Sequence, residues 1–399
     1  MRRLLASLLM VLFVGSGVQA QDTDSTTRIT RVVWSPDGTR VATSYRDGRI
    51  LIDSLEGQQQ RLLLQADTSR ILGLAWSPDG QLLASGSTSP DNALRIWDAI
   101  TGEQVHVVAD FGLDILTVTW SPNGQYILAV TAEPFNTPSN AVLVDSTTLQ
   151  STTFSTGAVS DIAWNLDGTQ AAFSNISFNV EVRNVASLDL ASRYMYDAPF
   201  IPGLLNQLIK VTWSSTGEYI AGGTGDGRII IWRFDSPEPV HVLEGNSYQG
   251  ENIALAWINE LYFDDSGQYV TSVSRDGTLR RWVVETGNLV SEQMVTPQYA
   301  ADFSPYGGRL ALGLALPENM AATQVDLVVE TLASGAIQIV VPDPSIDRLN
   351  TIAAACDAPV SPTTDMADFI AQVEALPADS IPPACAADLL AVARALESQ

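Results

Sequence analysis

The sequence predicts an all-β chain folded as a seven-bladed β-propeller, followed by a small C-terminal α-helical appendage. Three observations carry this reading. A turn-centred motif recurs seven times at near-constant spacing. Each interval has room for four short strands, and beyond residue 344 the apolar pattern changes to a helical period.

The motif first appears as Val32-Val33-Trp34-Ser35-Pro36-Asp37-Gly38. It returns around Trp76-Ser77-Pro78-Asp79-Gly80, Trp120-Ser121-Pro122-Asn123-Gly124 and Trp164-Asn165-Leu166-Asp167-Gly168. Weaker copies follow at Trp213-Ser214-Ser215-Thr216-Gly217, Phe263-Asp264-Asp265-Ser266-Gly267 and Phe303-Ser304-Pro305-Tyr306-Gly307. The aromatic positions 34, 76, 120, 164, 213, 263 and 303 are 42, 44, 44, 49, 50 and 40 residues apart.

Within the first unit, Ile29 to Trp34 reads as a strand entering a tight Ser-Pro-Asp-Gly turn, in which proline fixes φ and glycine accepts a positive one. Arg40 to Tyr45 is a second strand ending at Asp47-Gly48, a strong hairpin signal. Arg49 to Ser54 is the third and Arg61 to Gln65 the fourth. Hairpin turns at Asp226-Gly227 and Asp276-Gly277 repeat the scheme, and Ala336 to Val341 supplies a fourth strand for the last unit. One such sheet cannot cover both of its faces. Stacking copies around an axis does so, which gives one blade per repeat over residues 29–341. The polar stretch Gln21 to Arg28 leaves a donated N-terminal strand weakly signalled.

At these residues the chain resembles the WD-repeat family. Trp97-Asp98 closes Asn92-Ala93-Leu94-Arg95-Ile96 where that family's signature dipeptide falls. Ile231-Trp232-Arg233 and Arg281-Trp282-Val283 are degenerate versions. The resemblance implies a protein-binding propeller. The family's Gly-His pair is absent from every copy, and the two histidines, His106 and His241, both lie in fourth strands, so its Asp-His-Ser-Trp hydrogen-bond network cannot form in full. The Ser-Pro-Asp-Gly turn is also similar to those of periplasmic Tol-system propellers and quinoprotein dehydrogenases.

Four features break the rhythm: an insertion at Tyr194 to Leu208, a lengthened first strand over Ile258 to Tyr262, and long loops at Ala132 to Asn140 and Pro317 to Thr323. Loops on a rigid scaffold are where binding residues concentrate.

Residues 1–20 read as a signal peptide. Arg2 and Arg3 precede an apolar run from Leu4 to Val14, and Val18-Gln19-Ala20 matches a cleavage site. As a helix that run covers about 16 Å, too short for a hydrocarbon core of about 30 Å. A soluble protein beginning near Gln21, outside the cytoplasm and secreted or periplasmic, is expected, with no membrane span in its mature form. The chain carries 45 acidic against 21 basic residues, a formal charge of −24, and Lys210 is its only lysine. Losing Arg2 and Arg3 takes the charge to −26. With 46% hydrophobic residues the chain is not disordered. Its acidity disfavours nucleic acid and favours a basic or calcium-bridged partner.

Past Pro342-Asp343-Pro344, the region 345–399 reads as three helices. Ile346 to Cys356 forms the first. Thr363-Thr364-Asp365 caps the second, whose apolar face is Met366, Phe369, Ile370, Val373 and Leu376. Pro382-Pro383 opens the third. Cys356 and Cys385 are the chain's two cysteines. In an oxidising compartment they read as a disulfide, worth roughly 3 to 4 kcal/mol by chain entropy.

Signals for chemistry are scarce. No nucleophile elbow, phosphate loop or paired-histidine metal motif is present. The recurring aspartates Asp37, Asp79, Asp167, Asp47, Asp226 and Asp276 read as turn caps rather than calcium ligands, and Asp264-Asp265 is the one acidic pair in a turn. Trp34, Trp76, Trp120, Trp164 and Trp213 end first strands and Trp97, Trp232 and Trp282 end third strands, so they read as inter-blade packing, not as a carbohydrate platform. Trp257 falls in the first strand of blade six, and Asn175-Ile176-Ser177 matches a glycosylation acceptor. The expectation is therefore a monomeric, secreted, non-catalytic scaffold that binds a protein partner through blade-rim loops, with no cofactor, no metal and no catalytic residue. The alternative is an enzyme or small-ligand binder using the central channel, with polar residues converging on one of its mouths.

Overall fold

A computed structural model describes residues 29–340, apart from 56–60, 66–68, 109–110, 133–139, 177, 198–206, 245–256, 276, 296–297, 306–307, 315–326 and 332–335, together with 371, 372 and 375. Among the described residues the chain forms seven four-stranded antiparallel sheets, each built from four consecutive strands. In the first sheet these are Ile29–Trp34, Arg40–Tyr45, Arg49–Ser54 and Arg61–Gln65, the bounds expected from the turn chemistry. The first strands of the other sheets are Ile71–Trp76, Asp114–Trp120, Val159–Trp164, Leu208–Trp213, Ile258–Phe263 and Gln298–Phe303.

The turns explain the strand ends. Gly38 sits at φ 70°, a conformation L side chains rarely adopt. Its N–H donates to the Ser35 carbonyl (2.9 Å) while the Ser35 N–H reaches the Arg40 carbonyl (2.9 Å). Asp37 Oδ1 accepts from Ser35 Oγ (2.6 Å) and the Thr39 N–H (3.0 Å). The same pattern holds at Asp79, with Ser77 Oγ at 2.6 Å and the Gln81 N–H at 3.0 Å. These bonds pull the Asp37 and Asp79 carboxyls below the ordinary aspartate range; at Asp37 they outweigh the opposing effect of burial.

First strands touch in cyclic order, and the first strand of the seventh sheet meets that of the first. Apolar clusters fill the spaces between sheets. One joins Ile50, Ile52 and Leu64 of the first sheet to Ile71, Leu74, Trp76 and Trp97 of the second. Another joins Val182 and Tyr194 of the fourth to Leu208, Trp213 and Trp232 of the fifth. The approach is close enough to exclude side chains in places: a Cβ on Gly86 would stand 2.3 Å from Ile115 Cγ2. All-β sheets packed face to face around a common centre are consistent with a β-propeller.

No strand is exchanged to close the series among the described residues; side chains do it instead. The Trp34 N–H donates to Asp302 Oδ2 (2.8 Å), and Trp34 Nε1 donates to the Asp302 carbonyl (3.0 Å). The Arg309 guanidinium lies 4.7 Å from the Trp34 ring centroid and donates to the Gly38 carbonyl. The neighbouring seam copies this device. Arg40 stands 4.7 Å over Trp76 and donates to the Gly80 carbonyl (2.7 Å), while Trp76 Nε1 reaches the Val33 carbonyl (3.2 Å). Six residues after the repeat aromatic, only the first and seventh sheets carry arginine; the others have Leu82, Tyr126, Gln170, Tyr219 and Tyr269.

Several expectations need correction. The first strand of the sixth sheet is Ile258–Phe263, no longer than its counterparts, and Trp257 precedes it. The aromatic and apolar residues of this stretch imitate a longer alternating strand. Tyr194 and Met195 belong to a fourth strand, Leu190–Met195, and Leu208 opens the next strand, so the insertion is narrower than expected. The last strand ends at Val340 rather than Val341. The signal segment, the region 345–399 and both cysteines fall outside the described residues, except that Ala371 and Gln372 are helical, with the Ala375 N–H on the Ala371 carbonyl (3.1 Å).

Candidate functional site: the axial channel

Each first strand carries a register shift three residues before its repeat aromatic, as between Ile29 and Arg31 or Leu208 and Lys210. A bulge re-aims a side chain. At this position the seven copies read Arg31, Gly73, Thr117, Asp161, Lys210, Glu260 and Ala300. Four of the seven are charged, where the next position along the strand is apolar in every copy (Val32, Leu74, Val118, Ile162, Val211, Leu261 and Ala301).

Five of them, Arg31, Thr117, Asp161, Lys210 and Glu260, meet at a cavity of about 360 Å³ lined by the first strands. The lone lysine is there: Lys210 Nζ donates to Glu260 Oε2 (2.9 Å) and stands 3.8 Å from Asp161 Oδ2. Arg31 Nη2 reaches across to Thr117 Oγ1 (3.3 Å) and lies 3.7 Å from Asp161 Oδ1. Asp161 Oδ2 also accepts the Val211 N–H (3.2 Å). The seventh sheet contributes Asp302, one residue before its aromatic. Burial pushes the Asp302 carboxyl up to about 7 and the nearby Glu260 charge adds to it, against the Trp34 N–H, Lys210 and Arg31, which favour the anion. Three carboxyl groups and two cations from five sheets thus share one cavity. The position one residue before the aromatic also lines the cavity, with Val33, Ala75, Thr119, Ala163 and Thr212 alongside Asp302.

The tryptophans of the repeat do not form a platform. Trp34, Trp76, Trp97, Trp120, Trp213, Trp232 and Trp282 are buried, and Trp164 is half-buried. Trp97 Nε1 donates to Ser85 Oγ (2.9 Å), one limb of the incomplete network expected above. Trp232 Nε1 instead reaches the Met195 carbonyl (3.3 Å). Both oxygens of Asp264 are engaged locally, by the Tyr269 N–H (2.9 Å) and Ser266 Oγ (2.8 Å). Among the described residues no group of three or more His, Cys, Asp or Glu side chains is placed to hold a metal. Asn175 is 5% exposed and its Nδ2 donates to Asn179 Oδ1 (3.2 Å), so the acceptor side chain of the glycosylation motif faces inward.

Sequence reasoning missed Arg31, Thr117, Asp161, Glu260 and Asp302 as a group. For all but Asp302 the available signal was the column three positions before the aromatic, variable and often charged where the next position is apolar in every copy.

Among the described residues no helix is long and apolar enough to cross a membrane. A family model described as WD domain, G-beta repeat matches residues 19–52, 58–98, 206–233 and 238–282. No curated protein matches the chain. Three of the matched segments end on a third strand's closing residues, at Trp97-Asp98, Trp232-Arg233 and Trp282, the positions of the degenerate signature dipeptide. The segments 58–98 and 238–282 each begin by the fourth strand of one sheet and end in the third strand of the next, so these repeats straddle the seams. The chain carries WD repeats in four places, and its series of four-stranded antiparallel sheets is consistent with the WD-repeat β-propeller family.

Proposed function

We propose that the chain is a secreted, non-catalytic interaction scaffold on a closed seven-bladed propeller, and that it engages a protein partner through one face. WD repeats suggest a protein-interaction scaffold in general. The observation that carries the choice of face is the segregation of irregular connections. In antiparallel four-stranded sheets, first-to-second and third-to-fourth connections share one face. Second-to-third connections and the links to the next sheet share the other. The first face is uniform: Ser-Pro-Asp-Gly-type turns alternate with tight turns such as Gly102 N–H to the Asp98 carbonyl (2.9 Å) and Gly287 N–H to the Val283 carbonyl (2.8 Å). The second face holds the four longest connections, at 133–139, 196–207, 245–257 and 315–326. Long loops held by a rigid scaffold are where binding residues concentrate.

The uniform face carries Asp37, Asp79, Asp98, Asp145 and Asp167, all held below the ordinary aspartate range chiefly by hydrogen bonds from their turns. It stays anionic to low pH and keeps the protein soluble. Affinity capture with the mature protein, against a variant whose 245–257 connection is replaced by Thr156-Gly157-Ala158, the three-residue link that joins the third sheet to the fourth, tests the proposal. Loss of a captured partner in the variant is expected, and equal capture by both proteins would overturn the choice of face.

Processing has its own test. Intact mass of the secreted protein without reduction is expected to place the N-terminus at Gln21 and to show Cys356 and Cys385 two hydrogens lighter than free thiols. An uncleaved chain would sink the secretory reading, and two free thiols the disulfide.

A second reading is favoured by a specific observation. Arg31, Thr117, Asp161, Lys210, Glu260 and Asp302 converge on one cavity, the arrangement required of a small-ligand site in the central channel.

A further inference from the structure

Resting on that second reading, we propose that the axial cavity binds a small zwitterion, a free amino acid with an apolar side chain, its carboxylate on Arg31 and its ammonium on Asp302.

The cavity's own ion pairs leave two groups underused. Lys210 is matched by Glu260 at 2.9 Å and Asp161 at 3.8 Å. Arg31 is not matched in the same way. A guanidinium has five N–H donors, and among the described residues Arg31 makes one hydrogen bond, a long one to Thr117; its nearest carboxylate, Asp161, is 3.7 Å away and shared with Lys210. Asp302 is the converse, a carboxyl whose hydrogen-bond donor among the described residues is the Trp34 N–H. Burial and Glu260 oppose its charge. A buried group of this kind is stabilised by a cation at contact distance.

Charge balance selects the ligand. A simple amine would relieve Asp302 but add to the field of Arg31 and Lys210. A simple carboxylate would satisfy Arg31 but meet Asp161, Glu260 and Asp302. A zwitterion serves both underused groups and adds no net charge. Arg31 and Asp302 stand on first strands that touch at the closing seam, so one small molecule can reach both. A cavity of about 360 Å³ falls at the small end of ligand pockets, about 300–1,000 Å³. Val33, Ala75 and Ala163 line the cavity one residue before their repeat aromatics, the position that Asp302 holds in the seventh sheet, so a short aliphatic side chain meets apolar surface beside the charged groups.

Isothermal titration of the full-length protein is the test, with L-leucine, isopentylamine, 4-methylpentanoate and glucose as probes. L-Leucine is expected to bind and to perturb tryptophan fluorescence, with the amine and the acid each about tenfold weaker or more. Arg31→Gln is expected to weaken L-leucine and the acid while sparing the amine; Asp302→Asn is expected to weaken L-leucine and the amine while sparing the acid. Should a variant fail to fold, the four wild-type titrations decide alone. Binding of the amine, the acid or glucose as tight as that of L-leucine would overturn the zwitterion and leave the channel reading standing. No heat and no fluorescence change with any of the four would overturn both.

Discussion

Trp34→Ala is expected to destabilise the protein by about 3–5 kcal/mol, the usual range for truncating a buried tryptophan. Total stabilities are typically about 5–15 kcal/mol, so the variant should unfold at markedly lower urea. The reason is local and also topological. Trp34 is 5% exposed and packs with Ile29, Val32, Val41, Tyr45, Leu51, Ala300 and Ala311, a cluster that draws on both the first and the seventh sheets. Its N–H and Nε1 both end on Asp302, 268 positions away in sequence. No exchanged strand shares the work at this seam, so the side chain carries contacts that strand pairing would otherwise supply. Trp34→Phe keeps the apolar body and strands one carbonyl, for a loss of about 1–3 kcal/mol. Trp120 offers the control for the interblade hydrogen bond, because its Nε1 bonds to Gly124 within its own sheet (3.2 Å). Trp120→Phe should therefore leave the closing seam intact while Trp34→Phe loosens it. Urea midpoints for the Ala and two Phe variants decide the matter; a cost below about 1 kcal/mol for Trp34→Ala would refute the seam argument.

The blade plan was readable from residues because its causes are local. A proline, an aspartate and a glycine in fixed order specify a turn wherever they occur, so strand bounds such as Arg40–Tyr45 and Arg49–Ser54 emerge without tertiary information. Trp257 shows where local reading fails: an aromatic beside an apolar strand looks like part of it, and only the pairing register, which starts at Ile258 with Ser274, excludes it. Asn175 fails for a related reason, since a three-residue motif says nothing of burial by neighbouring strands. The axial cluster is a stronger case. Arg31, Asp161, Lys210, Glu260 and Asp302 are scattered along the whole repeat region and become neighbours only because the sheets circle one axis. Aligning the seven copies would have isolated the column of Arg31, Asp161, Lys210 and Glu260, but not Asp302, which stands two positions further on, nor the matching of Lys210 with Glu260. That matching depends on which sheets stand next to or across from each other.

Asp302→Asn is expected to raise stability at pH 8 by an amount on the order of 2–4 kcal/mol, at about 1.4 kcal/mol per unit of pKa difference, and to change little at pH 4. The folded protein holds the Asp302 carboxyl near 7, against an ordinary value of 3.8. Below pH 3.8 both folded and unfolded chains carry the proton, and the group favours neither. From there up to about 7 the folded state retains a proton that the unfolded state has lost, so stability falls as pH rises. Above 7 the whole cost of an enclosed carboxylate beside Glu260 remains, softened by Lys210, Arg31 and the Trp34 N–H. Asp53, also raised chiefly by burial despite its 2.6 Å pair with Arg61, acts in the same direction. The turn aspartates act oppositely: Asp37, Asp79, Asp98, Asp145 and Asp167 are lowered, so their contribution is present above 3.8 and is lost as pH falls through their folded values. The wild-type optimum should thus lie on the acidic side of neutrality. Asparagine at 302 retains an oxygen for the Trp34 N–H, which removes the charge without removing the seam bond. Thermal unfolding from pH 4 to 8 should show the variant with a flatter profile, overtaking the wild type as pH rises. Parallel profiles would mean that Asp302 is ionised throughout, and that the axial cluster tolerates its third carboxylate without cost.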